Sequence, residues 1–223
     1  MGGIAMLITY HGHSEFYIEG ANGFALLTDP YDGHVGYPMR EYRCDAVTVT
    51  HGHGDHNFTQ KALGTPAIID SVGTWKPTPE VKITAIPSVH DDANGAKRGK
   101  NLLMKIEMEG LTLAHLGDQG VALTPEQLST LGTIDILMLP IGGFYTIDAK
   151  TAFEIVKAVH PRVTIPMHYK TSVNAGWPIA DETEFLRLMG QPSLAPMPLL
   201  RVTKGDLSEQ PGLVMLEWGK IDE

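Results

Sequence analysis

The chain has 223 residues, with 26 acidic against 17 basic side chains and a formal net charge of −9. That length can bury a sizeable core, and the acidic balance excludes a general basic footprint for nucleic acid or an anionic membrane surface. One cysteine, Cys44, excludes an internal disulfide; it fits a reducing compartment and is expected as a small buried apolar side chain. No stretch approaches the roughly 20 apolar residues of a membrane span. Residues 1–6 lack the basic and apolar regions of a signal peptide, so a soluble, cytoplasmic protein is expected.

Residues 6–10 read as a strand that turns through His11, Gly12, His13 and Ser14 into an extended run at 16–18. A third apolar run, 24–29, stops at Asp29 before Pro30. This spacing predicts an antiparallel start to a sheet. His11 and His13 share one side of the chain. With no carboxylate seen beside them, they are expected as turn or supporting residues rather than ligands. Asp29 suits a turn by composition, and 34–43 reads as a surface loop near the cleft.

The chemistry concentrates in 47–56. The β-branched run Val47 to Thr50 favours extended backbone and delivers His51, His53, Asp55 and His56 within six positions. Gly52 and Gly54 are expected to permit tight turns between them. His51 and His53, two apart, point to one side of an extended stretch. Asp55 and His56 are adjacent and cannot, which suggests two sub-sites. Imidazole–carboxylate clusters are the usual ligand set for zinc and related divalent metals.

Downstream, 57–63 suits a short helix, and 67–70 and 81–86 read as strands with Pro77 and Pro79 in the connection. The second strand runs out at His90. A hairpin over 101–107 and 111–116, turning at Glu109 and Gly110, ends in Gly117 and Asp118. His115, inside that strand, is expected packed or hydrogen-bonded in the sheet. Thr124, Pro125 and Gln127 mark a helix start with a capping box. A strand at 135–140, a loop at 142–148, a helix at 148–159 and a strand at 163–168 follow, the last delivering His168. A helix at 181–189 and strands near 199–202 and 213–218 complete what reads as one domain, 1–223, without repeats.

The His-x-His-x-Asp-His pattern of His51, His53, Asp55 and His56 resembles the signature of the metallo-β-lactamase superfamily over all six positions. The likeness extends to Asp29, His90, Asp118 and His168, each just after a predicted strand. The neighbourhoods 140–148 and 167–169 resemble the small metal-dependent hydrolases grouped with the ascorbate-6-phosphate lactonases. The resemblance implies an α/β (α+β) fold, the four-layer αββα sandwich, with metals at one edge. It implies two divalent metal ions, zinc first, although manganese or iron also suits ligands without thiolate. His51, His53 and His90 would hold one ion, Asp55, His56 and His168 the other, with Asp118 as the bridge and Asp29 supporting the metal loop. A shared hydroxide would attack a carbonyl or phosphoryl centre.

The expected catalytic set is therefore Asp55, Asp118 and Tyr145, the last as a proton donor or oxyanion partner unless it is a packed aromatic. Lys97, Arg98 and Lys100 crowd three cations into five positions of an acidic protein. Arg98, Lys97 and Asn101 are candidate substrate-binding residues, Arg98 foremost because its planar fork can hold a phosphate or carboxylate. The same run could be a solvated turn with Arg98 and Asn101 as scaffolding. The expected function is hydrolysis of a small, anionic ester, lactone or phosphodiester. The alternative is a non-catalytic metal-binding or sensor protein of the same fold. A diiron oxidoreductase is disfavoured, since no glutamate stands in the motif and no flavin domain is attached. The expected partner is a small molecule, with no nucleic acid and no membrane; a homo-oligomer is left open.

Overall fold

Hydrophobic residues alternate along the first strands, and the two faces they bury decide the architecture. The structure, a computed structural model, describes residues 5–219, so positions 1–4 of the opening segment read above lie outside the described residues. One six-stranded sheet is built from β1 (Met6–Gly12), β2 (Glu15–Glu19), β3 (Ala25–Thr28), β5 (Ala46–Thr48), β7 (Ala67–Ile69) and β14 (Leu200–Val202), in the order β14-β1-β2-β3-β5-β7. The second comprises β8 (Gly73–Thr78), β9 (Val81–Val89), β10 (Lys100–Met108), β11 (Leu111–His115), β12 (Ile136–Pro140) and β13 (Val163–Met167), in the order β13-β12-β11-β10-β9-β8. Two short strands, β4 (Tyr42–Arg43) and β6 (Ala62–Leu63), pair as a separate ribbon.

Each sheet joins antiparallel strands to parallel ones. β3, β5 and β7 run parallel in the first sheet, and β11, β12 and β13 in the second. Met6, Ile8, Phe16 and Ile18 of the first sheet and Ile83, Leu103, Ile106 and Leu113 of the second are fully buried in one shared core. Burying each such side chain stabilises by about 1.5–3 kcal/mol. β12 and β13 are buried at every position, as expected of parallel strands covered on both faces.

Three α-helices among the described residues complete the sandwich. In α1 (Pro125–Leu131) the Thr124 hydroxyl accepts from the Gln127 N–H while the Gln127 side chain caps the Thr124 N–H, with proline at the helix start. α2 (Ala149–Val159) is capped by Asp148 onto the Thr151 N–H and buries Ala152 and Ile155. It packs against α3 (Thr183–Leu188) and touches β12. The outer face of the first sheet carries a second cluster, Leu27, Cys44, Val47 and Val49, closed by Tyr17, Tyr42 and Ala62. Cys44 is buried there, as its residue type suggested. No helix among the described residues is long and apolar enough to cross a membrane.

Three local readings change. Residues 57–63 form a single 3-10 turn, Thr59–Lys61, because the Phe58 side chain offers no cap and Lys61 is drawn inward onto Glu15 at 2.5 Å. Pro77 lies within β8, which tolerates it as an edge strand with a register shift between Trp75 and Thr78. Residues 213–218 make only bridges, since their hydrogen bonds divide between two partners: Val214 N–H donates to Thr164 O, while Glu217 N–H donates to Met197 O.

Candidate metal centre and its cleft

The site lies where strands from both sheets run out. β1 delivers His13, β3 Asp29, β5 His51, β9 His90, β11 Asp118 and β13 His168. Carboxyl ends of parallel strands are the usual address of ligands in such sheets. Three of these residues adopt left-handed backbone: His13 at φ 57°, Asp29 at φ 40° and His168 at φ 51°.

His51, His53 and His90 form one potential ion-holding trio, and His51, Asp55 and His56 another. A third trio departs from the sequence reading, because His13 joins His56 and His168. His13 Nε2 lies 3.1 Å from His56 Nε2 and 3.2 Å from Asp55 Oδ2, and its ring centre lies 4.3 Å from that of His168. His13 is thus in the cluster and not merely in the turn. His11 points the other way, onto a carboxylate overlooked at sequence level. Its Nδ1 is 3.0 Å from Glu15 Oε1, and Glu15 also holds the Lys61 ammonium.

Asp118 sits amid imidazoles. The Nε2 atoms of His90, His56, His168 and His51 lie 3.1, 3.3, 3.4 and 4.0 Å from its oxygens. Asp29 is fully buried one layer behind. It accepts the Thr50 N–H at 2.7 Å and the Thr50 hydroxyl at 2.6 Å, and lies 2.8 Å from His56 Nδ1. That contact fixes the His56 ring with Nε2 toward the centre, the usual support for a metal-binding imidazole.

The set fits a divalent cation. Buried Nε2 of His51 and Oδ1 of Asp118 have no hydrogen-bond partner, although buried polar atoms are normally paired. Imidazole nitrogens that converge on one another and on two carboxylates need either protons or a cation between them.

Electrostatics agree. Burial alone would raise the Asp118 carboxyl, but His168 and His56 hold it well below the usual range. Burial opposes the charge on His56, yet Asp118 and Asp29 push it well above the ordinary imidazole value. Burial, aided by neighbouring imidazoles, lowers His51 to about 3 and His13 to about 4.

A pH dependence of the metal-free protein follows. Folded His13 and His51 stay neutral down to about 4 and about 3, and burial lowers His115 too. In the unfolded chain all three take up protons below about 6.5. The unfolded state therefore binds more protons in that window, and stability is lost as pH falls through it, by up to about 1.4 kcal/mol per pH unit for each imidazole. His56 acts oppositely, since its raised value contributes stability that is lost as pH rises. That loss falls above about pH 6.5, where His56 is still protonated only in the folded chain, so below it the three lowered imidazoles predict acid lability. The melting temperature of chelator-treated protein should fall between about pH 6.5 and 4.5; a rise across that range would contradict the prediction.

Above the cluster opens a cleft of about 610 Å³, whose floor is His53, Asp55, His90, Asp118 and His168. Arg98, Tyr145 and Trp177 line its walls, and Asp32 and His34 also border it. The Arg98 guanidinium carbon lies 5.7 Å from the Tyr145 ring centre. Lys97 is not in this lining; its ammonium pairs with Asp92 at 2.6 Å on the surface. Asn101 is fully buried. Its amide N–H donates to Leu116 O at 2.8 Å and its carbonyl accepts the Asp118 N–H at 3.1 Å. It therefore shapes the Asp118 turn rather than reaching the cleft. His34 begins the loop expected near the cleft and does border it, whereas Asp32 and Trp177 were missed at sequence level. They stand in loops without periodicity, and nothing in the residues around them marks the cleft.

Comparison with known proteins agrees with this fold. Residues 7–168 match the family model described as a β-lactamase superfamily domain. The UPF0173 metal-dependent hydrolase of Pyrococcus furiosus is 32% identical over 82% of this chain and 92% of its own length. The crystal structure of a candidate Zn-dependent hydrolase of the metallo-β-lactamase superfamily from Thermotoga maritima superposes with a TM-score of 0.79 at 33% identity. That match covers 96% of this chain and 99% of the other. Igni18, a metallo hydrolase of Ignicoccus hospitalis, gives a TM-score of 0.62 at 25% identity, covering 89% and 97%. The chain belongs to the metallo-β-lactamase superfamily and is a metal-dependent hydrolase of that fold.

Proposed function

We propose that the protein hydrolyses a small anionic ester, lactone or phosphodiester at a centre of two divalent cations, zinc being the first candidate. The observation that supports this reading is the convergence of six imidazoles and two carboxylates beneath an open cleft walled by Arg98. His51, His53 and His90 would hold one ion. His13, Asp55, His56 and His168 would hold the other, with Asp118 between them. When bound, such a pair supplies Lewis acidity and brings a water toward neutral pKa.

The chain's own residues do the rest. Asp29 orients His56, and Asn101 holds the Asp118 turn. Arg98 offers paired N–H donors to a carboxylate or phosphate, and Tyr145 stands in the cleft to donate a hydrogen bond or proton to the leaving group. We read the chain as one domain working in a reducing cytoplasm on small molecules, supported by its single cysteine and its charge of −9.

Two measurements test this. Protein loaded with excess zinc and then desalted should retain about two equivalents, since the donors exceed one tetrahedral site; a firm single equivalent would rule out the two-ion reading. On a panel of matched anionic and neutral esters, lactones and phosphodiesters, Arg98→Ala should raise KM for the anionic members about 10- to 100-fold, the worth of a charge-assisted hydrogen bond. Neutral members should change little. Lys97→Ala should have a small effect, because that ammonium is engaged with Asp92. Equal effects of Arg98→Ala on both classes would remove the anion from the proposal.

A further inference from the structure

His115 is a buried histidine outside all three ion-holding trios. It closes β11, edge-on to Phe16 with ring centres 5.8 Å apart. Its Nε2 lies 2.8 Å from the Ser14 carbonyl oxygen. Its Nδ1 accepts the Gly117 N–H at 3.2 Å. A carbonyl can only accept and a backbone N–H can only donate, so the two contacts require Nε2–H and an unprotonated Nδ1. The ring is thereby fixed as one neutral tautomer.

Its two partners are informative. Ser14 directly follows His13, in the β1–β2 turn of the first sheet, and Gly117 directly precedes Asp118, after β11 of the second. One imidazole therefore spans the sheets and ties the turn carrying His13 to the turn carrying Asp118. The second turn has little room to adjust. Gly117 has φ +54°, and a Cβ there would lie 2.5 Å from Asn101 Oδ1 and 2.6 Å from Thr50.

We propose that His115 is a positioning residue that sets the separation of the His13 and Asp118 turns, and through it the second of the two ion sites. The proposal rests on the two-ion reading above. An ordinary packed histidine would contribute to stability alone, whereas a spacer between sub-sites changes one ion's affinity relative to the other's.

Two conservative variants divide the contacts. His115→Gln, by its length, reaches Ser14 O and gives up the Gly117 N–H. His115→Asn reaches the Gly117 N–H and gives up Ser14 O. His115→Leu gives up both. Zinc affinities for the first and second equivalents would be measured by competition with a chromophoric chelator, alongside melting temperatures of the metal-free proteins. In Gln and Asn the second equivalent should weaken about 10-fold and in Leu about 100-fold, the range for residues that orient metal ligands. The first should weaken less in all three, since His51, His53 and His90 are delivered by other strands and share only Asp118 with the second site. Amide exchange of Gly117 in the metal-free state should speed up in Gln and Leu and stay slow in Asn.

If both equivalents weaken together in step with melting temperature, or both stay at wild-type affinity in Gln and Asn, His115 is no spacer. Wild-type protein that takes up one equivalent only overturns the two-ion reading itself, and this proposal with it.

Discussion

Asp118→Ala is expected to lower kcat/KM by about three orders of magnitude, roughly 4 kcal/mol of transition-state stabilisation, in protein saturated with metal. The expectation comes from the surroundings of this carboxylate. It is buried, four imidazole Nε2 atoms lie within 4.0 Å, and Asp55 is the other carboxylate in the cluster. Deleting it halves the negative charge available to the cations and frees the His56 and His90 rings from their shared neighbour. Asp29→Ala provides the comparison. Asp29 contacts His56 and Thr50 but none of the cleft, so its loss should cost about 10- to 100-fold, the range for outer support, and excess metal should restore much of it. Equal losses in the two variants would show that Asp118 is not the central carboxylate.

Gly120→Ala should be the most destabilising single-methyl change near the site, by at least about 3 kcal/mol. A Cβ at Gly120 would meet the carbonyl carbon of His90 at 2.2 Å and the Asp91 nitrogen at 2.3 Å, both backbone. Nothing there can rotate away. The Gly120 N–H also donates to Val89 O at 3.0 Å, so relieving the clash pulls the loop after Asp118 off the strand end that presents His90. The melting temperature should drop by about 6–12 °C for a chain of this size, and the affinity of the site containing His90 should fall with it. Gly52→Ala, within the histidine motif, is the control: no atom lies within 4 Å of its Cβ position, and stability should change by less than about 0.5 kcal/mol. Thermal melts and zinc titrations of the two variants decide the matter. Matching melts for both would mean that the strand end yields more easily than its packing implies.

That contrast shows where sequence reading reached and where it stopped. The ligand block announced itself because its residue types are chemically unusual together, and β-branched residues before it and before His168 signalled strands. The caps at Thr124 and Asp148 were legible for the same local reason, since side chain and backbone lie three residues apart. His13 was not legible. Its partners stand 42 and 43 residues away, and only the pairing of β1 with the rest of the first sheet brings them together. The motif glycines misled in the opposite direction. Gly52 and Gly54 need no left-handed backbone, while tight positions near the site include Gly12, against the Tyr37 ring, and Gly117, Gly120 and Gly142, pressed against other chain segments. Asn101 shows a further limit: its composition suggested a polar handle in a loop, and burial turned it into a brace.

The left-handed backbone at His13, Asp29 and His168 has a consequence for how the protein can be improved or can drift. Such angles disfavour any residue with a Cβ by of order 1–3 kcal/mol, and glycine at each position would remove that cost. A selection for heat resistance alone, run on metal-starved cells, should therefore enrich glycine at His13 and His168, changes that erase the centre, but not at Asp29, whose carboxylate holds the Thr50 N–H and hydroxyl in the metal-free protein. Thermostable descendants found that way would be inert. Engineering for robustness has to screen for metal uptake in the same step, because stability and activity pull these two histidine positions in opposite directions.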